Sequence, residues 1–190
     1  MAVSKEIALK NVRLSYPNLY DKEKYKGDPT NNWSATFLLP KVREETVKVF
    51  RDTAEALVAE VLGGKAKVPK KLWFTDKCCM RDGDLEDKED YEGMWTIKAS
   101  TNKRILTVDR FGDQVAQDDG EDQYNGIFYP GCMVDGVLSI WYTEGYGHVR
   151  ANLHVIRFRG DGEKLGASDS ASKSEDLLGM LDFDDDEADI

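Results

Sequence analysis

VLSIWYTEGYGHVRANLHVIRF, residues 137–158, is a hairpin written in period two. In its second half Val149, Ala151, Leu153 and Val155 alternate with Arg150, Asn152 and His154. In its first half Leu138, Ile140 and Tyr142 share one face, and Val137, Ser139 and Trp141 the other. The serine marks that second face as the outward one. Glu144-Gly145-Tyr146-Gly147 supplies the turn between the halves. Strands with one apolar and one polar face belong to an antiparallel sheet that packs on a core from one side only.

The same pattern recurs upstream. Residues 6–16 (EIALKNVRLSY) place Ile7 and Leu9 on one face, then Val12, Leu14 and Tyr16 after a one-residue slip at Lys10 and Asn11, as a bulge allows. Residues 33–39 send Trp33, Ala35, Phe37 and Leu39 inward, and residues 94–101 send Trp95, Ile97 and Ala99 inward. A short extended run covers 105–109. Residues 43–62 carry Val47, Phe50, Ala54, Leu57, Val58 and Val61 at helical spacing, with Glu44 and Glu45 in the first turn and Gly63-Gly64 as the stop. Residues 65–80 are basic, with Trp73 and Phe74 as their anchors. The segments 82–92 and 118–122 read as acidic loops. Five strands, one helix and long loops predict a mainly β fold, a five-stranded antiparallel oligonucleotide/oligosaccharide-binding (OB) barrel. In the commonest version of that barrel the helix lies between the third and fourth strands. Here it follows the second, so the barrel is a variant or contains a strand not visible in the pattern.

Charge separates the chain into two parts, a domain at 1–167 and a tail at 168–190. The tail, SDSASKSEDLLGMLDFDDDEADI, holds nine acids against Lys173, a net charge of −8 out of −10 for the whole chain. Its short apolar patch cannot offset the cost of ordering the backbone, so it is expected to be disordered, either as an interaction tail or as a solubilising one. Residues 82–92 contribute −6 and residues 118–122 another −4, which leaves about +8 on the remaining body. The acidic pI of 4.8 conceals a basic scaffold.

That scaffold suggests a polyanion partner. Lys10, Arg13, Lys98 and Arg150 are outward on strands, Asn152 and His154 follow on the last one, and Lys22, Lys24 and Lys26 lie in the 17–32 loop. Lys103 and Arg104 occupy the turn after residue 101. Cations track phosphates and aromatic rings stack bases on single strands. Tyr20, Tyr25 and Tyr146 are the stacking candidates because no apolar alternation claims them, and Trp141 is a weaker one. Trp33, Trp95, Phe37, Phe50 and Tyr16 read as core. A solvated barrel face would also need Lys and Arg. A continuous basic track between the 17–32 loop and the 144–148 turn would separate the two readings. An acidic protein-interaction or DNA-mimic factor is the alternative from another class.

Other chemistry finds little support. Counted from Asp82, a calcium loop would need Gly at its sixth position and Glu at its twelfth, where Asp87 and Gly93 stand. Cys78, Cys79, Cys132, His148 and His154 lack the spacing of a paired zinc site, and no phosphate loop or nucleophile elbow occurs. No cofactor, no metal and no enzymatic activity are expected. Three cysteines, no apolar leader and no run of 18 apolar residues suit a soluble protein of a reducing cytoplasm.

NVRLSYPNLY (11–20), WSATFLLPK (33–41), CMRDGD (79–84), YEGMWTIKAS (91–100), FYPGCMVDGVLSIWYTE (128–144), residues 147–153 and FRGDGEKLGA (158–167), in this order and spacing, resemble the phage-encoded single-stranded DNA-binding proteins. The family was long catalogued as a domain of unknown function and includes one from an Enterobacter phage. The resemblance implies an OB barrel, no catalysis, a role in phage replication or recombination, and the host-cell cytoplasm. LDFDDDEADI is similar to the acidic tips of bacterial and phage single-stranded DNA-binding proteins. That likeness marks Leu181, Asp182, Phe183, Asp184, Asp185, Asp186 and Glu187 as the partner-binding residues. The chain ends Ala-Asp-Ile where the bacterial pattern ends Pro-Phe, which favours a phage partner over a host one.

Overall fold

The structure, a computed structural model, describes residues 3–70, 72, 76–116 and 120–166. The tail at 168–190 and the expected anchors Trp73 and Phe74 lie outside the described residues. The elements are β1 (Val3–Asn18), β2 (Lys24–Tyr25), β3 (Asp28–Pro29), β4 (Trp33–Pro40), α1 (Glu44–Leu62), β5 (Met80–Asp82), β6 (Met94–Thr101), β7 (Leu106–Val108), α2 (Glu121–Ile127), β8 (Met133–Thr143) and β9 (His148–Gly160). The main sheet runs β5-β6-β4-β1-β8-β9-β7. A parallel bridge from Ser100 to Asn152 joins β6 to β9 and closes β6-β4-β1-β8-β9 into a five-stranded barrel. These are the strands read from the sequence, and their order is that of an OB barrel. Residues 24–25 and 28–29 form a small separate hairpin.

The slip in β1 is real and does structural work. The register against β8 shifts between Leu9 and Val12, and Asn11 has φ 50°, a left-handed conformation that asparagine tolerates. The Asn11 N–H donates to Asp135 Oδ1 at 2.8 Å, and its carbonyl accepts from Arg43 Nη1 at 3.0 Å. The guanidinium of Arg157 holds the other oxygen of Asp135. Beyond the bulge β1 turns from β8 to β4, so one long strand serves both halves of the barrel.

The core follows the alternation. Leu9, Val12, Leu14, Phe37, Leu39, Ile97, Ala99, Leu138, Ile140 and Leu153 are all buried. Helix α1 adds Val47, Phe50, Ala54, Leu57 and Val58, packed toward β1 and β8, and ends where Gly63 takes φ 75° and donates its N–H to the Ala59 carbonyl. Three expectations need correction. Trp33 and Trp95 are half-buried at the edge of the core rather than central, and cations lie over their outer faces: Lys22 at 4.9 Å for Trp33, and Arg51 at 4.5 Å and Lys41 at 5.2 Å for Trp95. Tyr16 is 57% exposed, as described below. A second helix is present, α2, which inserts Tyr124 and Phe128 into the core from what read as the end of an acidic loop. It occupies the usual helix position between the third and fourth barrel strands, while α1 fills the connection between the second and third. The barrel is therefore a variant, with no barrel strand missed.

Candidate nucleic-acid interface

Side chains that alternation turns outward on β4 and β6 form the floor of a groove. Ser34 pairs with Ser100 and Thr36 with Lys98, so the floor is mostly short and polar. The β1–β4 connection makes one wall with Asp21, Lys22, Glu23, Lys24 and Asn32. Asp76, Cys78, Cys79 and Arg81 line it with His148, Val149, Arg150 and Ala151 at the start of β9. Backbone bonds from Cys79 N–H to Val149 O (2.9 Å) and from Val149 N–H to Lys77 O (2.8 Å) tie those two segments together. The cavity is about 1000 Å³. A site for one small apolar ligand is lined mainly by hydrophobic groups. This one is lined by six cations (Lys22, Lys24, Arg81, Lys88, Lys98, Arg150) and four carboxylates (Asp21, Glu23, Asp76, Glu86), a net +2.

The 82–92 segment closes one end of the groove and, though largely exposed, is held by specific contacts. Lys41 reaches both Asp82 and Asp84, and Asp84 Oδ1 accepts the Gly93 N–H at 2.6 Å. Lys41 and the Gly93 N–H hold the Asp84 carboxyl below the usual carboxylate range. Glu86 Oε1 accepts from Thr96 Oγ1 at 2.8 Å. Tyr91 is 2% exposed, its hydroxyl 2.9 Å from Ser15 Oγ. Gly83 sits so close beneath it that a Cβ would lie 2.3 Å from the Tyr91 carbonyl oxygen. From this wall the Lys88 ammonium extends over the Tyr16 ring at 4.4 Å and the Tyr91 ring at 4.6 Å. Burial opposes the Lys88 charge, but Tyr91, Tyr16 and Glu86 outweigh it and raise its pKa.

Of the residues expected to bind nucleic acid, Lys22, Lys24, Lys98 and Arg150 line the groove. Tyr25 (67% exposed) and Tyr146 (69% exposed) stand on the β2–β3 and β8–β9 turns at its two sides, with Lys26 5.5 Å and Arg150 5.9 Å from their respective ring centres. Asn152, His154 and Trp141 lie along the outer face of β8–β9, where the Trp141 indole donates to Asn152 Oδ1 at 3.2 Å and His154 Nε2 meets Ser139 Oγ at 2.7 Å. Lys103 and Arg104 are exposed in the β6–β7 turn outside the groove. Lys10 and Arg13 are also outside it. Lys10 is at the β1 bulge, and Arg13 Nη2 donates to the Glu163 carbonyl at 2.7 Å. Tyr20 packs on the core with its ring centre 5.7 Å from that of Tyr124. Tyr16 makes the reverse exchange. A φ of 45° just before Pro17 turns its ring out of the alternation and into the groove. The turn signal in Tyr16-Pro17-Asn18 was the available clue.

The thiols are free. Burial pushes Cys132 up to about 12, and Cys78 and Cys79 flank the groove.

A five-stranded OB barrel with a net-positive groove between its first and last loops belongs to the fold class that holds oligonucleotides and oligosaccharides. The chain belongs to the family described as Enterobacter phage Enc34, ssDNA-binding protein, which matches residues 5–189. It is 28% identical over 182 residues to the putative protein p50 of Acyrthosiphon pisum secondary endosymbiont phage 1, covering 93% of this chain and 96% of that one. Among solved structures it resembles the single-stranded DNA-binding protein from bacteriophage Enc34 in complex with ssDNA. There the TM-score is 0.70 at 28% identity, covering 85% of this chain and 89% of the other. Gp2.5 of bacteriophage T7, at 12% identity and TM-score 0.50 over 86% and 96% of the two chains, shares the fold. The family and the two solved structures are single-stranded DNA-binding proteins, which are not enzymes.

Proposed function

We propose that this chain binds single-stranded DNA without sequence preference in the groove between the 17–32 loop and the 144–148 turn. Its setting is phage DNA replication or recombination in the host cytoplasm. The observation that carries the reading is convergence: Lys22, Lys24, Lys98 and Arg150 come from three separate parts of the chain and meet over a floor of Ser34, Thr36 and Ser100. Cations over short polar side chains suit a phosphate backbone, and Tyr16, Tyr25 and Tyr146 offer exposed rings for bases. A DNA mimic would make this groove net negative, whereas its six cations outnumber its four carboxylates. The acidic tail would compete with DNA for the groove and recruit replication or recombination proteins through Leu181, Phe183 and the acids around them. Titration of labelled single-stranded, duplex and RNA oligonucleotides tests the core of the proposal. Tight single-strand binding, weakened by Arg150→Ala, is expected. Absence of binding to any single strand would overturn it.

A further inference from the structure

The cation at the centre of the groove floor is already engaged. Lys98 Nζ lies 2.5 Å from Glu23 Oε1, with the carboxylate side chain 26% exposed and the ammonium 56%. Glu23 is not a loose loop residue. Its N–H donates to the Asn32 carbonyl at 2.8 Å, and its own carbonyl accepts the Thr30 N–H at 2.7 Å. Those two bonds fix the base of the β2–β3 hairpin, which places Lys24 in the groove wall and carries Tyr25 and Lys26 beyond it. The ion pair therefore joins the base of that hairpin, in the groove wall, to the floor at β6. A carboxylate oxygen on an ammonium is chemically what a phosphate oxygen would be.

Resting on the single-strand reading above, we infer that Glu23 is an internal occupant of the phosphate seat at Lys98, and that a bound strand must displace it. Glu23 is thus an affinity-limiting residue of the interface, latching the β2–β3 hairpin in the free protein. Two consequences distinguish this from simple charge repulsion. Salt weakens the Lys98–Glu23 pair as well as the phosphate contact that replaces it, so displacing the pair offsets part of the salt dependence that Lys98 would otherwise add. The cost of displacing Glu23 exists only while Lys98 is there to hold it.

The test is a double-mutant cycle of Glu23→Gln and Lys98→Gln in the full-length protein, with single-strand affinity measured over a range of salt concentrations. Glu6→Gln, an equal charge change at an exposed β1 position outside the groove, serves as control. Glu23→Gln should tighten binding about two- to five-fold at low salt, the scale of an exposed ion pair. It should also steepen the log-log slope, by less than the about 0.7 of a whole phosphate contact, since Lys98 meets the same phosphate in both proteins. In the Lys98→Gln background the gain should shrink and the slope should not change. Equal gains in both backgrounds, or an unchanged slope, would overturn the latch and leave only general repulsion. If the parent protein binds single strands and responds to Arg150→Ala while Glu23→Gln does nothing, the latch alone is wrong. If the parent does not bind, the reading beneath it fails as well.

Discussion

Tyr16 and Tyr20 exchange the positions that alternation assigns them, Tyr16 exposed in the groove and Tyr20 packed on the core. Counting by twos carries the inward face of β1 as far as Leu14 and would add Tyr16, but the left-handed backbone at Tyr16 breaks the count. Tyr20, in a loop with lysines around it, reads as free and is instead enclosed by Tyr124 of a helix a hundred residues away. Long-range enclosure leaves no local trace, which is why the loop tyrosine could not be judged from its neighbours. Tyr16→Ala is expected to weaken single-strand binding by about 1–3 kcal/mol, the usual worth of a stacking ring, with the melting temperature nearly unchanged. Tyr20→Ala should do the opposite, lowering the melting temperature through the cavity it opens and changing affinity little. Thermal melts and titrations of the two variants side by side decide it. Should Tyr20→Ala alone lose affinity while remaining folded, the assignment drawn from the structure is wrong. Arg150→Ala should weaken binding and flatten the salt slope by about 0.7.

At the scale of elements, the barrel strands were legible because each is buried on one face, so burial and period two coincide. Helix α1 was legible through its apolar stripe and its glycine stop. Helix α2 was not: Glu121–Ile127 is seven residues with a glycine inside it, too short for a period of 3.6 to appear. The 82–92 segment was hidden for another reason. Its carboxylates look solvated until Lys41, Gly93, Thr96 and Gly166 are found beside them, and none of these pairings follows from spacing. Because the wall depends on the close approach at Gly83, Gly83→Ala should destabilise the fold by about 1–3 kcal/mol, as overpacking does. It should also weaken DNA binding by displacing Lys88 and Tyr91. Denaturant melts with parallel titrations read both effects. Normal stability with normal affinity would show that the wall neither needs that contact nor shapes the groove. Asp135 gives the matching acid test at the β1 bulge. Burial opposes its charge, but the Asn11 N–H and Arg157 outweigh that and lower its pKa. A lowered carboxyl stabilises the fold above its unfolded pKa and loses that contribution as pH falls through the lower folded value. Asp135→Asn should therefore cost stability at neutral pH and little in strong acid.

Taken whole, the molecule sets a net +2 groove against a terminal segment of −8. The last described residue, Gly166, donates its N–H to Asp90 Oδ2 at 3.2 Å, and Asp90 adjoins Tyr91 in the end wall of the groove. The described chain therefore ends beside the groove, and tethering there would give the acidic segment that follows a high effective concentration at the site. Its hold on the groove should still be weaker than that of DNA, because carboxylates supply charge but no bases to stack. Deleting residues 168–190 is expected to tighten single-strand binding at low salt and to help weaker ligands, duplex DNA among them, by a larger factor. The effect should fade near 1 M salt, where the Debye length falls to about 3 Å. Without the tail the salt slope itself should lie near −3 to −4, from about −0.7 per phosphate over roughly five contacts. Competition adds a diagnostic sign to this. Salt weakens the tail's grip as well as the DNA's, so the truncated protein should show the steeper slope. Titrating both forms at two salt concentrations separates the possibilities. Equal affinities and equal slopes at low salt would mean the segment never enters the groove, and its acids would be left with recruitment or solubility alone. A truncated form that binds more tightly with a steeper slope would establish competition, with DNA freeing Leu181, Phe183 and their acidic neighbours for a protein partner.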